Sequence, residues 1–347
     1  MAHGAESIEV HHHIQDACST DGTAEFLEEF QFEVGGLSLP VGRCCRQAPA
    51  SLRVKSEVER GGKECPILDS GQKKPKTPNF QPQTALSGYT FSYASEPDNG
   101  MYDAINRGVL RTLDLQRTED RRHQSEGEKA TNRLPQISNS DESVVAWLNC
   151  DEQYLPGTLH KMFGFFEQYP NTDIMMGDVL LVNGKGGLVA FRKGYALRRA
   201  YVEASHLYTL SCATFFRQHV FDQSDGFDTI FRAAADEAFM LRALRAGFRA
   251  RHVRAYLSVF TFSGENLGAG AVADQEHLEL KSRARRWVRI LKPAINTVRR
   301  CEKWLSGAYV QRFPLEYAVY SDDLGERKCF SADRGTWRWP GGGDSAV

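Results

Sequence analysis

Three acidic residues could do chemistry because each stands where a predicted strand or turn gives way to a helix. Asp151 lies in the polar run 149–152, directly after the apolar run 144–148. Asp16 follows an alternating segment, and Asp236 opens a helical pattern. A carboxylate at a strand end is a suitable ligand for Mg²⁺ or Mn²⁺, which prefer oxygen donors and keep positions open for phosphate. Capping of the next helix is the alternative for Asp151, and spacing alone leaves both interpretations open.

Apolar periodicity predicts the elements that must position these carboxylates. Polar residues cluster after several predicted strands, which is typical of an α/β sheet with its site at the strand ends. The predicted strands are 8–14, 89–93, 144–148, 213–216 and 250–262, with a hairpin of 174–182 and 187–191 turning at Asn183-Gly184. The predicted helices begin near Ala24, Met101, Gly157 and Asp236, the last ending at Gly247, and a basic helix at about 275–305 is interrupted near Pro293. The apolar run 144–148 favours a strand covered on both faces.

Composition argues against several classes of protein. The 347 residues carry a formal net charge of −1, so no global basic field favours nucleic acid. No window approaches the roughly 18 uninterrupted apolar residues that a membrane-spanning helix needs. The eight cysteines include no C-x-x-C pair, which argues against a zinc site or a disulfide framework. We therefore expect a cytoplasmic protein, or one attached to the membrane surface.

Four segments, in this order along the chain, resemble the motifs of family 2 glycosyltransferases. They are the Asp-rich turn 15–23 (QDACSTDGT), the signature 95–106 (SEPDNGMYDAIN), the Asp-x-Asp region 149–157 (NCDEQYLPG), and an acceptor half made of 213–217 (ATFFR), 226–228 (GFD) and 234–236 (AAD). Four segments in the right order are far more specific than any one alone. The resemblance covers roughly 8–32 and 89–264, without two insertions.

The resemblance implies the GT-A fold, an α/β fold in which helices sandwich a mostly parallel, Rossmann-like sheet. The implied reaction is metal-assisted, inverting transfer of a sugar from a UDP- or dTDP-linked donor to a carbohydrate or lipid-linked acceptor, as in polysaccharide biosynthesis. Asp151 would bind Mn²⁺ or Mg²⁺, and Asp236 would be the general base, with Glu237 the alternative base. The implied donor-binding residues are Asp16 (base or ribose), Ser19, Asp98, Asn99, Asn106, Asn149 and Asp151.

The chain departs from the family pattern in three places. Asn149 replaces the first acid of the Asp-x-Asp motif. The chain begins at the family's second strand, so we expect an N-terminally truncated sheet with a weakened nucleotide site. An insertion follows Phe32. The predicted organisation is 1–34 and 87–116 for the nucleotide-binding half, 35–86 and 117–143 for an irregular and a polar insertion, 144–265 for the metal motif and acceptor half, and 266–347 for a basic helix and tail.

Two other functions stay open beside an active transferase. A truncated homologue without turnover could bind a nucleotide or a partner protein; the missing first strand favours this, and the intact Asp151 and Asp236 oppose it. A nucleotidyltransferase would share a metal-bound diphosphate but would not need the acceptor-half motif.

The basic segment 281–304 has two explanations. It holds nine Lys or Arg residues and one Glu, interspersed with Trp and aliphatic residues. Such a helix could bind anionic lipid headgroups at the inner membrane surface. A solvated helix packed on the domain explains the same pattern.

Overall fold

A computed structural model describes residues 8–18, 86–112, 143–262, 270–321 and 327–340. Ser19, the predicted helix from Ala24 and most of both insertions lie outside the described residues. The chain divides into two compact units. The described part of the first unit is 8–18, 86–112, 143 and 226–232, and the second unit contains the described residues of Val144–Asp225 and Ala233–Val347.

The first unit is built on two parallel strands and one helix. They are β1 (Ile8–Asp16), β2 (Leu86–Ser95) and α1 (101–112). The two strands pair in parallel up to Asp16 and Ser95, which stand opposite each other at the carboxyl ends. In α1 the buried Tyr102 stacks on Phe227, with ring centroids 5.7 Å apart. The predicted strand–helix order of this part is confirmed.

The second unit contains a mixed six-stranded sheet. Its strands are β3 (Val144–Ala146), β4 (Glu152–Tyr154), β5 (Ile174–Val182), β6 (Leu188–Arg192), β7 (Thr214–Arg217) and β8 (Ala250–Thr261). Their order is β3-β7-β5-β8-β4, with β6 also paired to β5. Only β5 and β8 are parallel, and the other pairings are antiparallel. The fold is mixed α/β, and the expected mostly parallel sheet is not confirmed in this unit. The tight turn at Asn183 explains one antiparallel pair, since a hairpin reverses the chain.

β5 lies at the centre of this sheet, between β7 and β8, and all nine of its residues are buried. Met175 and Phe215 belong to a core cluster with the helix residues Met162 and Phe166. The expectation that 144–148 is covered on both faces is wrong. β3 has three residues and pairs with β7 alone among the described strands, which leaves Val144 38% exposed.

Seven helices are described in the second unit. They are α2 (Thr158–Gln168), α3 (Arg199–Ala204), α4 (Gln218–Gln223), α5 (Ala235–Ala246), α6 (Ala271–Ser282), α7 (Arg286–Ile290) and α8 (Lys292–Leu305). α5 ends at Gly247 as predicted, with the left-handed φ of 99° that glycine adopts without strain. The predicted interruption of the basic segment near Pro293 is confirmed: α7 ends at Ile290, and Pro293 lies in the first turn of α8, where its missing N–H costs no hydrogen bond.

An antiparallel hairpin of β9 (Leu315–Val319) and β10 (Lys328–Ala332) follows the helices. It was not predicted, because the segment reads as a Gly-rich tail. Leu315, Tyr317 and Val319 are buried and complete a second core cluster with Leu180 and Val182 of β5. Among the described helices, none combines the length and the apolar character needed to cross a membrane.

Candidate functional site

The turn after β3 is held by the buried side chain of Glu152. The N–H of Asn149 donates to Oε2 of Glu152 (2.8 Å), and the N–H of Glu152 donates back to the carbonyl of Asn149 (3.0 Å). The hydroxyl of Ser211 donates to Oε1 of the same carboxylate (2.6 Å). Burial raises the pKa of Glu152, and the hydrogen bonds from Asn149 and Ser211 oppose that shift. Glu152 therefore stabilises the turn, and both of its carboxylate oxygens accept hydrogen bonds within the protein.

The turn leaves the Asp151 carboxylate available. Asp151 is half-buried, and its burial raises the pKa of the carboxyl group. Its carbonyl accepts the N–H of Thr261 (2.7 Å), which ties the turn to the end of β8. Within the described ranges, no hydrogen bond or ion pair from another residue engages the Asp151 carboxylate. Asn149, predicted to bind the donor, stands beside it with a half-buried side chain.

Asp236 lies in the first turn of α5 and lines a small cleft. The cleft is also lined by Trp147, Leu207, Thr209, Ser211, Thr214, Phe239 and Met240. Oδ1 of Asp236 accepts the N–H of Glu237 (2.8 Å), so the carboxylate sits at the positive end of the helix. Trp147 comes two residues before Asn149, and Ser211 binds Glu152. The Asp-x-Asp turn thus adjoins this cleft through the Ser211–Glu152 hydrogen bond, and Asp151 itself is not among the lining residues.

The capping explanation for Asp236 is not supported. The residue in the N-cap position of α5 is Ala234, and no side chain of its own caps the helix. Glu276 of α6 supplies the side-chain acceptor at the start of α5 from outside that helix. Its Oε2 accepts the N–H groups of Ala233 (2.8 Å) and Ala234 (3.0 Å). Asp236 is therefore not the N-cap residue, although at the second helical position it accepts the N–H of Glu237 and still contributes to the start of the helix.

Glu237, the alternative base, points into the protein. It is 1% exposed, and its Oε2 accepts the N–H of Leu207 (3.3 Å). Nδ1 of His277 lies 3.0 Å from the same oxygen, a close charge contact whose angles fall outside those of a hydrogen bond. The Glu237 carboxylate raises the pKa of His277 above its ordinary value.

In the first unit, Asp16 is buried at the end of β1. It is 6% exposed, and its Oδ2 accepts the hydroxyl of Ser95 (2.6 Å). Its carbonyl accepts the N–H of Glu96 (3.0 Å), the first residue after β2. Asp16 thus joins the carboxyl ends of both parallel strands, which is the place where α/β sheets bind ligands.

Asp98 and Asn99 serve the start of α1. Oδ1 of Asp98 accepts the N–H of Gly100 (2.9 Å), which closes a local turn. The N–H and side-chain amide of Asn99 donate to Oδ2 of Asp103 (2.9 and 3.3 Å). Arg107 donates to the same Asp103 oxygen (2.8 Å). These contacts explain the two residues as organisers of the turn before the helix.

Asn106 is engaged at both ends of its amide. Its Nδ2 donates to the carbonyl of Phe227 (2.7 Å), and the N–H of Phe227 donates to its Oδ1 (2.8 Å). Each end of the amide keeps one further N–H hydrogen or oxygen lone pair, so the predicted donor-binding role stays a prediction. In this structure Asn106 holds the Gly-Phe-Asp segment 226–228 in place.

Replacing Asn106 by Ala should loosen that segment. Loss of a bonded partner for a buried amide costs about 1–3 kcal/mol, so the Phe227 N–H should exchange with deuterium roughly 5- to 100-fold faster. Hydrogen exchange read by NMR measures this. Asn106→Asp, which keeps an acceptor for the Phe227 N–H, is the matched control and should change exchange less. Unchanged exchange together with weaker UDP binding would restore the donor-binding role.

Three residues of the second unit's site carry no clear signal in the sequence. Glu152 adjoins the motif, but its type and position do not show that it turns inward. Ser211 lies in a short 3₁₀ turn, Ser211–Ala213, and has no motif around it. Trp147 read as part of a buried strand. The three become related only through the fold, because distant segments carry them.

Comparisons with known proteins find only weak structural likeness. No protein-family model matches the chain. No curated protein matches it either. Among solved structures, S. aureus TarS matches at 12% identity and TM-score 0.41, covering 92% of this chain and 54% of that one. TarS 1-349 in complex with UDP matches at 13% identity and TM-score 0.41, covering 93% and 90%. This chain thus spans about half the length of the first match, and a likeness this weak assigns neither fold nor activity.

Proposed function

We propose that this chain is a glycosyltransferase that moves a sugar from a UDP- or dTDP-linked donor to an acceptor hydroxyl with inversion. One observation carries the proposal. The cleft beside the Asp-x-Asp turn is lined by Asp236, in the first turn of α5, together with Trp147 and Ser211. Ser211 also binds Glu152 of the turn, so segments far apart in the chain meet here, and this supports the metal motif and base that the sequence resemblance implies.

Asp236 is the base in this proposal. Inverting transfer needs one carboxylate to take the acceptor proton as the acceptor oxygen attacks the anomeric carbon, and the leaving group departs from the opposite face. Asp236 lines the cleft, and Glu276 also holds the start of its helix. Glu237 is fully buried and in contact with Leu207 and His277. The geometry therefore favours Asp236 over Glu237 for this role.

A divalent metal fits the second unit if the phosphates of the sugar donor supply some of its ligands. No group of three or more His, Cys, Asp or Glu side chains that could hold a metal occurs in the described ranges. Mg²⁺ is commonly held by one or two carboxylates together with substrate phosphates. The unengaged Asp151 carboxylate meets that requirement, with the Asn149 side chain as a second oxygen donor. Bound there, Mn²⁺ or Mg²⁺ would neutralise charge on the departing diphosphate.

Replacing Asp151 by Asn should weaken metal-dependent donor binding. Changes to residues that only support a ligand typically cost about 10- to 100-fold in metal affinity, so loss of the carboxylate itself should lower UDP affinity in Mn²⁺ by at least about tenfold. Calorimetry with UDP, with and without Mn²⁺, measures this. Asp222→Asn, at an exposed position on α4, is the matched control. Equal UDP affinity in Asp151→Asn and wild type would remove Asp151 from the site.

A binding protein without turnover is the second candidate. The observation in its favour is Asn149, which leaves one carboxylate where the family motif has two. The two candidates differ in one measurement. A transferase releases UDP or dTDP from at least one member of a panel of nucleotide-sugars, whereas a binding protein retains UDP affinity and releases none.

A further inference from the structure

An open cavity of about 290 Å³ lies among α3, α6, α7 and α8 of the second unit. Lys281, Arg289 and Lys292 line it, with Glu203 and the buried Val288. It contains none of the residues assigned to sugar transfer. The surface inside the cavity is mainly apolar, and the residues around it include three cations and one carboxylate.

The cavity has a surplus of positive charge. Glu203 is the acidic residue in its lining, and both of its oxygens are already used. Oε1 accepts from Nε of Arg199 (2.7 Å) and Oε2 from Nε of Arg285 (2.8 Å). For the charged groups of Lys281, Arg289 and Lys292, the structure shows no hydrogen bond or ion pair to any described residue. Three cations thus face one opening with their charge uncompensated.

Large apolar side chains surround the same opening. Between the lining residues Arg289 and Lys292, Ile290 is 68% and Leu291 49% exposed. Trp287, in the first turns of α7, is 46% exposed. Val288 of the same helix is fully buried and anchors it. An exposed Trp and aliphatic residues interleaved with Lys and Arg are the composition of surfaces that lie in the interface of an anionic bilayer.

We propose that this surface docks on an anionic phospholipid membrane, with a lipid phosphate in the cavity formed by Lys281, Arg289 and Lys292. Trp287, Ile290 and Leu291 enter the headgroup region around it. Charge complementarity selects an anionic occupant, since no described residue pairs with the three cations, and the exposed apolar side chains beside them favour a membrane over a small soluble anion. The surface acts independently of sugar transfer and would hold the chain beside a membrane.

Sedimentation of the full chain with vesicles tests the proposal. Wild type should sediment with vesicles that contain phosphatidylglycerol and much less with vesicles of phosphatidylcholine alone. Each Lys or Arg near an anionic surface contributes about fivefold in affinity, so Lys281→Gln/Arg289→Gln/Lys292→Gln should lower vesicle affinity on the order of 100-fold. The matched control is Lys185→Gln/Arg312→Gln/Lys328→Gln, which removes the same charge from exposed positions outside the cavity.

A second pair of variants tests whether the exposed apolar side chains beside the cavity contribute to vesicle binding. Ile290→Ser should weaken vesicle binding, whereas Val310→Ser, at a position 64% exposed and outside the cavity lining, should not. All variants should keep the wild-type melting temperature and UDP affinity. Equal losses in the two triple variants would mean general charge attraction and overturn the proposal. So would binding of inorganic phosphate without vesicle binding, or self-association that Ile290→Ser abolishes.

Discussion

Replacing Asp236 by Asn is expected to reduce sugar transfer by about 10²- to 10⁴-fold, the usual range for loss of a general base. UDP affinity should stay within about threefold of wild type, because the base acts on the acceptor in the transition state and not on the bound donor. The helix should survive the change. Its start is held by Glu276 from α6, and Asn retains an oxygen for the N–H of Glu237.

UDP release in the presence of acceptor, from the panel donor that wild type uses best, measures this effect. Asp274→Asn is a close control because Asp274 also lies in the first turn of a helix, α6, but is exposed and does not line the cleft. Turnover of Asp236→Asn within about threefold of wild type would place the base elsewhere. A parallel loss of UDP affinity would give Asp236 a role in donor binding instead.

Local signals in the sequence predicted the local parts of the fold. The Asn183 turn forms as expected, with the N–H of Gly186 donating to its carbonyl (2.9 Å) and the N–H of Gly187 to its side chain (2.9 Å). α5 stops at Gly247 because glycine tolerates the left-handed geometry of the helix end. Such features depend on a few neighbouring residues, so they can be read without the rest of the chain.

Strand direction and exposure could not be predicted in the same way. Period and apolar content indicate a strand but not its partner. The run 144–148 is apolar enough for a covered strand, yet β3 pairs with β7 alone among the described strands and Leu148 is 38% exposed. Its surroundings depend on β7, which is about 70 residues away along the chain. A pattern within one segment carries no information about that pairing.

In the candidate site too, the sequence predicts some features and only the fold shows the others. The resemblance predicts roles for Asp151 and Asp236; in the structure Asp151 lies half-buried in the Asp-x-Asp turn and Asp236 lines the neighbouring cleft. It also predicts a donor-binding role for Asn106, and the structure adds a role that the motif does not show, since both ends of that amide bind Phe227. Motif position alone does not separate a residue that touches a ligand from one that holds the backbone around it. Hydrogen-bond geometry separates the two.

Replacing Glu237 by Gln should leave turnover within about threefold but destabilise the protein most at acidic pH. His277 has a raised pKa in the folded protein, first because of Glu237 and further because of Asp236, while burial and Lys281 oppose the shift. A group with a raised folded pKa stabilises the fold fully below its unfolded pKa, about 6.5 for His, and the contribution is lost as pH rises through the folded pKa. Gln keeps an oxygen for the N–H of Leu207 but removes the charge that His277 faces.

The expected loss in the free energy of unfolding is about 1–3 kcal/mol at about pH 5.5, the range for a polar contact to a charged group, and it should shrink towards pH 8.5. Thermal melts of wild type and variant across this range measure it. Glu279→Gln is the matched control, because Glu279 forms an exposed pair with Arg283 and should contribute no more than about 0.5 kcal/mol. A loss that is constant with pH would show that His277 is not charged against Glu237. A turnover loss of about 10²-fold or more in Glu237→Gln, with Asp236→Asn active, would instead make Glu237 the base.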